Sequence, residues 1–189
     1  MNNLMNTTTN NTRNGIDVEA LGNVVAAVRE TPAIAKFQFR ARNRWKNGPV
    51  NQTRIQGYYG AQQEHNTRAE PFEFTADEPP VLLGTDTGAN PVEYVLTGLA
   101  GCITTSLAFH AAANGIDVED VHSSLEGDID LHGFLGLDPK VPPGFQEIRV
   151  SFNVKTDADE KKLLELMGHS PVLDTLTRPV PVKITINRS

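Results

Sequence analysis

The sequence predicts an α+β chain, and three observations carry that prediction. Segments that alternate apolar and polar residues come in groups, with no strand–helix–strand repeat between them. One long run, Asn90 to Gly115, holds Glu93 as its only charged residue and opens and closes like a helix. An Asn47-Gly48 pair between two alternating segments marks a hairpin, so neighbouring strands run antiparallel.

Taken in order, Met1–Asn14 is rich in Asn and Thr, lacks periodicity and is expected to be a disordered tail. From Asp17 to Glu30, Val18, Leu21, Val25 and Val28 share a helix face, and Pro32 ends that helix. Residues 15–34 therefore form an accessory amphipathic helix, ahead of a single α+β domain over 35–189. Lys36–Lys46 sets Phe37, Phe39, Ala41 and Trp45 against Arg40, Arg42, Arg44 and Lys46, a strand pattern. Pro49 makes the following turn irregular. Thr53–Tyr59 returns, and Phe72–Thr75 is a further short strand.

The central helix has Asn90 as N-cap, Pro91 in its first turn and Glu93 at the capping-box position. Asn114-Gly115 supplies its stop. Val121–Leu131 and Ile148–Val154 follow as strands. Asp157 is expected to cap a helix with Glu160 three residues on, Ser170-Pro171 starts another, and Val180–Ile186 closes the chain as a strand beside Ile148–Val154.

Composition narrows the function. A chain of 189 residues with 39% hydrophobic and 21% charged residues reads as an ordinary globular protein. A net charge of −6 argues against nucleic acid as a partner. One cysteine cannot close an internal disulfide, and no basic-then-apolar leader opens the chain, so a reducing, cytoplasmic setting is expected. The long apolar run is a weak membrane span because it carries Glu93, His110 and many small or hydroxyl residues. No phosphate loop or dinucleotide fingerprint is present, and His122, His132 and His169 are scattered, so no cofactor and no metal are expected.

The lone cysteine, Cys102, lies at the middle of the central helix. Such a residue is either a small core hydrophobe or a thiol kept reachable for chemistry. His110, eight residues on, is about 12 Å farther along the helix, too far for a Cys–His pair. Lys36, Arg40, Arg42, Arg44 and Lys46 share one strand face, as a solvated cationic edge or as a source of charge for a thiolate.

Several motifs carry a resemblance. Asp77-Glu78-Pro79, Leu82-Leu83-Gly84, Asn90-Pro91-Val92-Glu93 and the Cys102 helix come in the order of the OsmC/Ohr family. Glu126-Gly127-Asp128-Ile129-Asp130, Phe134-Leu135-Gly136-Leu137, Pro143-Gly144-Phe145 and Ser170–Leu176 resemble the family's later segments, so the likeness spans about Ala35 to the C-terminus. It implies antiparallel sheets wrapped around central helices in an intertwined homodimer. It also implies thiol peroxidase chemistry on organic hydroperoxides. There a thiolate at the Cys102 position becomes a sulfenic acid, a second cysteine resolves it, and an arginine and a glutamate hold the thiolate ionised.

By that resemblance Cys102, Arg44 and Glu93 are the candidate catalytic residues, with Arg42 the second choice of cation. Two positions depart from the pattern. Ser170 stands where the resolving cysteine is expected, and Val92 stands where the helper glutamate is. Glu93 is one residue later and nine before Cys102, which places it on the opposite side of the helix and favours a capping role. Two functions follow: a one-cysteine peroxidase that uses a small external thiol, or a non-catalytic dimeric protein that binds a small hydrophobic molecule.

Overall fold

The computed structural model describes residues 11–188, and its elements are those of an α+β chain with antiparallel sheets. In chain order they are β1 (Thr12–Arg13), β2 (Ile16–Asp17), α1 (Val18–Glu30), β3 (Gln38–Phe39), β4 (Arg42–Asn47), β5 (Val50–Ile55), β6 (Tyr58–Gly60), β7 (Gln63–His65) and β8 (Phe72–Ala76). There follow α2 (Pro91–Ala113), β9 (Asp120–Asp128), α3 (Leu131–Phe134), β10 (Glu147–Lys155), α4 (Glu160–Met167) and α5 (Pro171–Thr177). Contacts divide the chain into two units. Among the described residues, one is Asp17–Val95 with residues 11–12; the other is residues 96–188 with Arg13–Ile16.

The first unit holds two three-stranded antiparallel sheets, β3-β6-β7 and β4-β5-β8. The strand expected over Lys36–Lys46 is broken at Arg40-Ala41, since the chain changes partner there from β6 to β5. Its hairpin is irregular, as Pro49 implied: the register shifts between Trp45 and Asn47, Gly48 takes a positive φ of 52°, and the Trp45 indole donates to the Gly48 carbonyl at 2.8 Å.

A single carboxylate organises the loop that leads to α2. Asp77 has no exposed surface. Its carboxylate accepts five hydrogen bonds at 2.7–3.1 Å, from the Glu78 amide and from the amide and hydroxyl of both Thr85 and Thr87. The Thr87 amide and the Thr85 hydroxyl lead the effects that hold this carboxyl well below the usual carboxylate range. Around it the chain turns tightly. Leu83 and Asp86 take positive φ, and a Cβ at Gly84 or Gly88 would fall 1.7 Å from the Glu78 carbonyl oxygen or 2.2 Å from that of Thr75. Only glycine fits those two approaches.

In the second unit Leu99, Ile103, Leu107 and Ala111 of α2 form a core cluster with Leu166 and Met167 of α4. Ile148, Phe152 and Val154 of β10, Val121 and Leu125 of β9, and Val172 and Leu173 of α5 pack against it. Strands β9 and β10 pair antiparallel along nine residues each, with Ile148 opposite Gly127. The Phe145 ring lies where a Cβ on Gly127 would be, 2.5 Å away. Arg149 binds Glu126 and Asp128 across the ladder.

Three expectations are corrected. The Met1–Asn14 tail was expected to be disordered; residues 1–10 lie outside the described residues, but 11–14 are ordered. Arg13 donates to the Gly115 carbonyl and meets Asp117, both at 2.7 Å, and the Asn14 amide bridges the Ile116 carbonyl and the Val118 amide. These bonds satisfy backbone groups just beyond the α2 stop. The cap of α4 is Asp159, which accepts from the Lys162 amide at 2.8 Å, and not Asp157. Lastly, residues 179–188 form no strand and do not join β10. Pro179 and Pro181 remove two amide donors, and an alternating pattern makes a strand only where an edge offers partners. Val182, Ile184 and Ile186 are left about four-fifths exposed, at 79%, 84% and 82%.

Replacing Asp77 by Ala should leave five donors without their acceptor and lower the thermal midpoint by about 5 °C or more. Its depressed proton affinity makes the Asp77 contribution full above about pH 4 and lost as pH falls toward the lowered folded value. A scan in which Asp77→Ala and wild type melt together at pH 7 would refute this role.

Candidate active site around the lone thiol

Helix α2 starts from a dense set of caps. The Asn90 side chain accepts from the Val92 amide at 3.0 Å and donates to Glu78, while Glu93 accepts from the Asn90 amide at 2.8 Å. The capping box read from the sequence is therefore formed, and Glu93 is engaged at the helix start. Tyr94 adds an anchor: its hydroxyl donates to the Thr75 carbonyl at 2.7 Å, and its ring meets Phe74 edge-on at 6.0 Å. At the other end the Asn114 amide bonds back to the His110 carbonyl, and Gly115 takes φ 73°.

By length and composition α2 could cross a membrane, with a mean hydropathy of 1.4 over its most apolar stretch. Its buried residues instead build a protein core. Leu99, Ile103, Ser106 and Leu107 are buried, while Gly98, Gly101, Thr105 and Phe109 are exposed. Cys102 falls at the edge between these two faces, half-buried and free. It is neither sealed in the core nor fully in solvent. A thiol placed so can react while its helix stays packed.

Ser170, at the position matched to a resolving cysteine, is fully buried and belongs to the same unit. Its hydroxyl caps α5 by accepting from the Leu173 amide at 3.2 Å, with Pro171 following in the first turn. Val92 sits one position before Glu93, half-buried and without ionisable chemistry. Arg44 lies on β4 in the first unit, opposite Gln52 of β5, and its side chain is exposed. Arg42 lies two residues before it, opposite Arg54. Glu93 and Arg44 thus belong to the first unit and Cys102 to the second.

One pairing was not visible in the sequence. His110 of α2 stacks on His169, which follows α4, with ring centroids 4.2 Å apart. Burial, then the nearby His169 charge, pushes the His110 imidazole below its ordinary value. Fifty-nine residues separate the two rings in the chain, so only the packing of α2 on α4 brings them together. Among the described residues no cluster of three or more His, Cys, Asp or Glu could hold a metal ion.

Lowered proton affinity of folded His110 means the unfolded chain binds its proton first. Stability should therefore hold above about pH 6.5 and fall as pH drops through the lowered folded value. His110→Asn should flatten that slope in urea melts taken from pH 7 to 5; an unchanged slope would remove His110 from the account.

Residues 84–185 match the family model described as OsmC-like protein. Solved structures share the fold at low identity. An OsmC-like protein from Mycoplasma pneumoniae aligns with a TM-score of 0.55 at 17% identity, covering 75% of this chain and 89% of that one. An OsmC-like protein of unknown function from Vibrio cholerae aligns at 0.53 and 12% identity, covering 76% and 93%. A comparison with curated protein sequences returns no significant match. The family match takes in more than half of the chain, including the Cys102 helix and the Ser170 cap, and the chain belongs to the OsmC-like protein family.

Proposed function

We propose that this chain is a one-cysteine thiol peroxidase that reduces organic hydroperoxides, as part of an oxidative stress response, with a small external thiol as reductant. One observation carries the reading: Cys102 is half-buried at the edge of the buried stripe of a capped, apolar helix. The Cys102 thiolate attacks the outer peroxide oxygen, the O–O bond breaks, and the leaving alkoxide takes a proton to become an alcohol. Cys102 is then a sulfenic acid. A small thiol condenses with it, releasing water and leaving a mixed disulfide, which a second thiol cleaves to restore Cys102. Arg44 is the assigned source of positive charge for the thiolate, with Arg42 second, and Glu93 acts as a positioning residue at the helix start. A small-thiol reductant fits a reducing, cytoplasmic compartment.

A second reading, a non-catalytic binder of a small hydrophobic molecule, draws support from Ser170, whose buried hydroxyl is occupied as a cap and cannot resolve a sulfenic acid. Peroxide consumption with a small thiol decides between them. Wild type should turn over and Cys102→Ser should not. Mass spectrometry after treatment with an organic hydroperoxide should show one added oxygen or over-oxidation at Cys102. Equal rates for wild type and Cys102→Ser would leave the binding reading standing.

The working form is a homodimer in this proposal. The exposed Val182, Ile184 and Ile186 of the second unit are apolar side chains of the kind that a second copy covers. Light scattering of dilute protein should give twice the mass of one chain. A stable, folded monomer there would overturn the assembly.

A further inference from the structure

An open cavity of about 220 Å³ lies in the first unit, lined by Arg40, Arg42, Arg54, Gln56, Gly57 and Asn66 among others. Arg42 and Arg54 stand directly opposite each other in the β4–β5 ladder, so both side chains leave the same face of the sheet. Like charges so placed repel, and a sheet normally avoids them.

Neighbouring carboxylates cancel only part of this charge. Glu64 takes Arg40 through both oxygens, at 2.9 and 2.7 Å. Glu73 meets Arg54 through Nε at 2.8 Å, and its other oxygen accepts from Gln52 at 3.2 Å. Arg42 has neither a hydrogen bond nor an ion pair among the described residues, and the Asn66 side chain has none either. Gly57 makes room for that amide: a Cβ there would lie 2.3 Å from Asn66 Oδ1. Arg68 is committed elsewhere, donating to the Gln56 carbonyl at 2.8 Å and lying over the Phe72 ring.

We propose that this cavity binds the oxyanion group, phosphate or carboxylate, of a small organic molecule. Arg42 is the principal ligand, Arg54 the second, and Asn66 a neutral donor. A planar guanidinium fork suits two oxygens of one anion, and the anion would relieve the Arg42–Arg54 repulsion. The cavity is roomier than a bare phosphate needs, which leaves space for a small organic part. This site needs no thiol and does not rest on the peroxidase reading.

The test follows the arginine Nε–H resonances of the full chain by NMR during titration with inorganic phosphate or acetate, at ionic strength held constant with chloride. The Arg42 and Arg54 signals should shift and saturate. Arg42→Gln should raise the half-saturating concentration at least tenfold while its circular dichroism stays that of wild type, and Arg42→Lys, which keeps the charge but loses the fork, should fall between. Tighter binding of phosphate would assign a phosphate ester, and tighter binding of acetate a carboxylate. Shifts that never saturate, or the same titration for Arg42→Gln and wild type, would overturn the site.

Discussion

The Asp77 carboxylate is the constraint on which the approach to the thiol helix depends. Five donors converge on it from one loop, and four of them belong to Thr85 and Thr87. An ionised acceptor buried without partners would be far too costly to keep, so the loop closes around the charge as a unit. That closure explains why Leu83 and Asp86 tolerate positive φ and why Gly84 and Gly88 have no room for a side chain. It also sets Glu78 and Asn90 side by side, and Asn90 begins α2. The loop is therefore the anchor of the helix that carries Cys102.

Along α2, capping and packing divide the labour. A helix cap contributes about 1 kcal/mol. Each fully buried leucine contributes about 2–3 kcal/mol, so Leu107 and its partner Leu166 outweigh either end of the helix. Packing decides which face of α2 is buried, and caps decide where the helix begins. Cys102 lies on the boundary that packing draws. Ser170 shows the same economy of polar groups: buried beside the core, its hydroxyl must have a partner, and the α5 amide of Leu173 provides one.

Exposed apolar side chains occur in both units: Trp45 in the first, and the alternation Val182, Ile184 and Ile186 in the second. The arginines at and just before the start of β4 have a different logic. Arg40 is bound bidentately by a carboxylate, whereas Arg42 faces Arg54 across the ladder with no ion pair of its own among the described residues. Arginines two residues apart therefore differ in what they can bind, according to which carboxylates the neighbouring strands bring.

Local chemistry was readable from the residues themselves. The α2 caps at Asn90 and Glu93, the α1 start at Asp17, the irregular turn at Asn47-Gly48-Pro49 and the alternation of β9 and β10 each depend on residues within a few positions of one another. The edge position of Cys102 was not among them, since a helix with one charged residue has no polar face and packing alone decides which side is buried. What lies far apart in sequence was decided by the fold. The His110–His169 stack, the Arg13 and Asn14 bonds to residues 115–118, the Arg42–Arg54 opposition and the five bonds to Asp77 all need a register or a loop closure that no local pattern encodes. The final alternation over Val180–Ile186 states the limit most plainly. Its residues alone make a strand possible there, but a strand exists only when another backbone supplies its hydrogen bonds, and among the described residues none does.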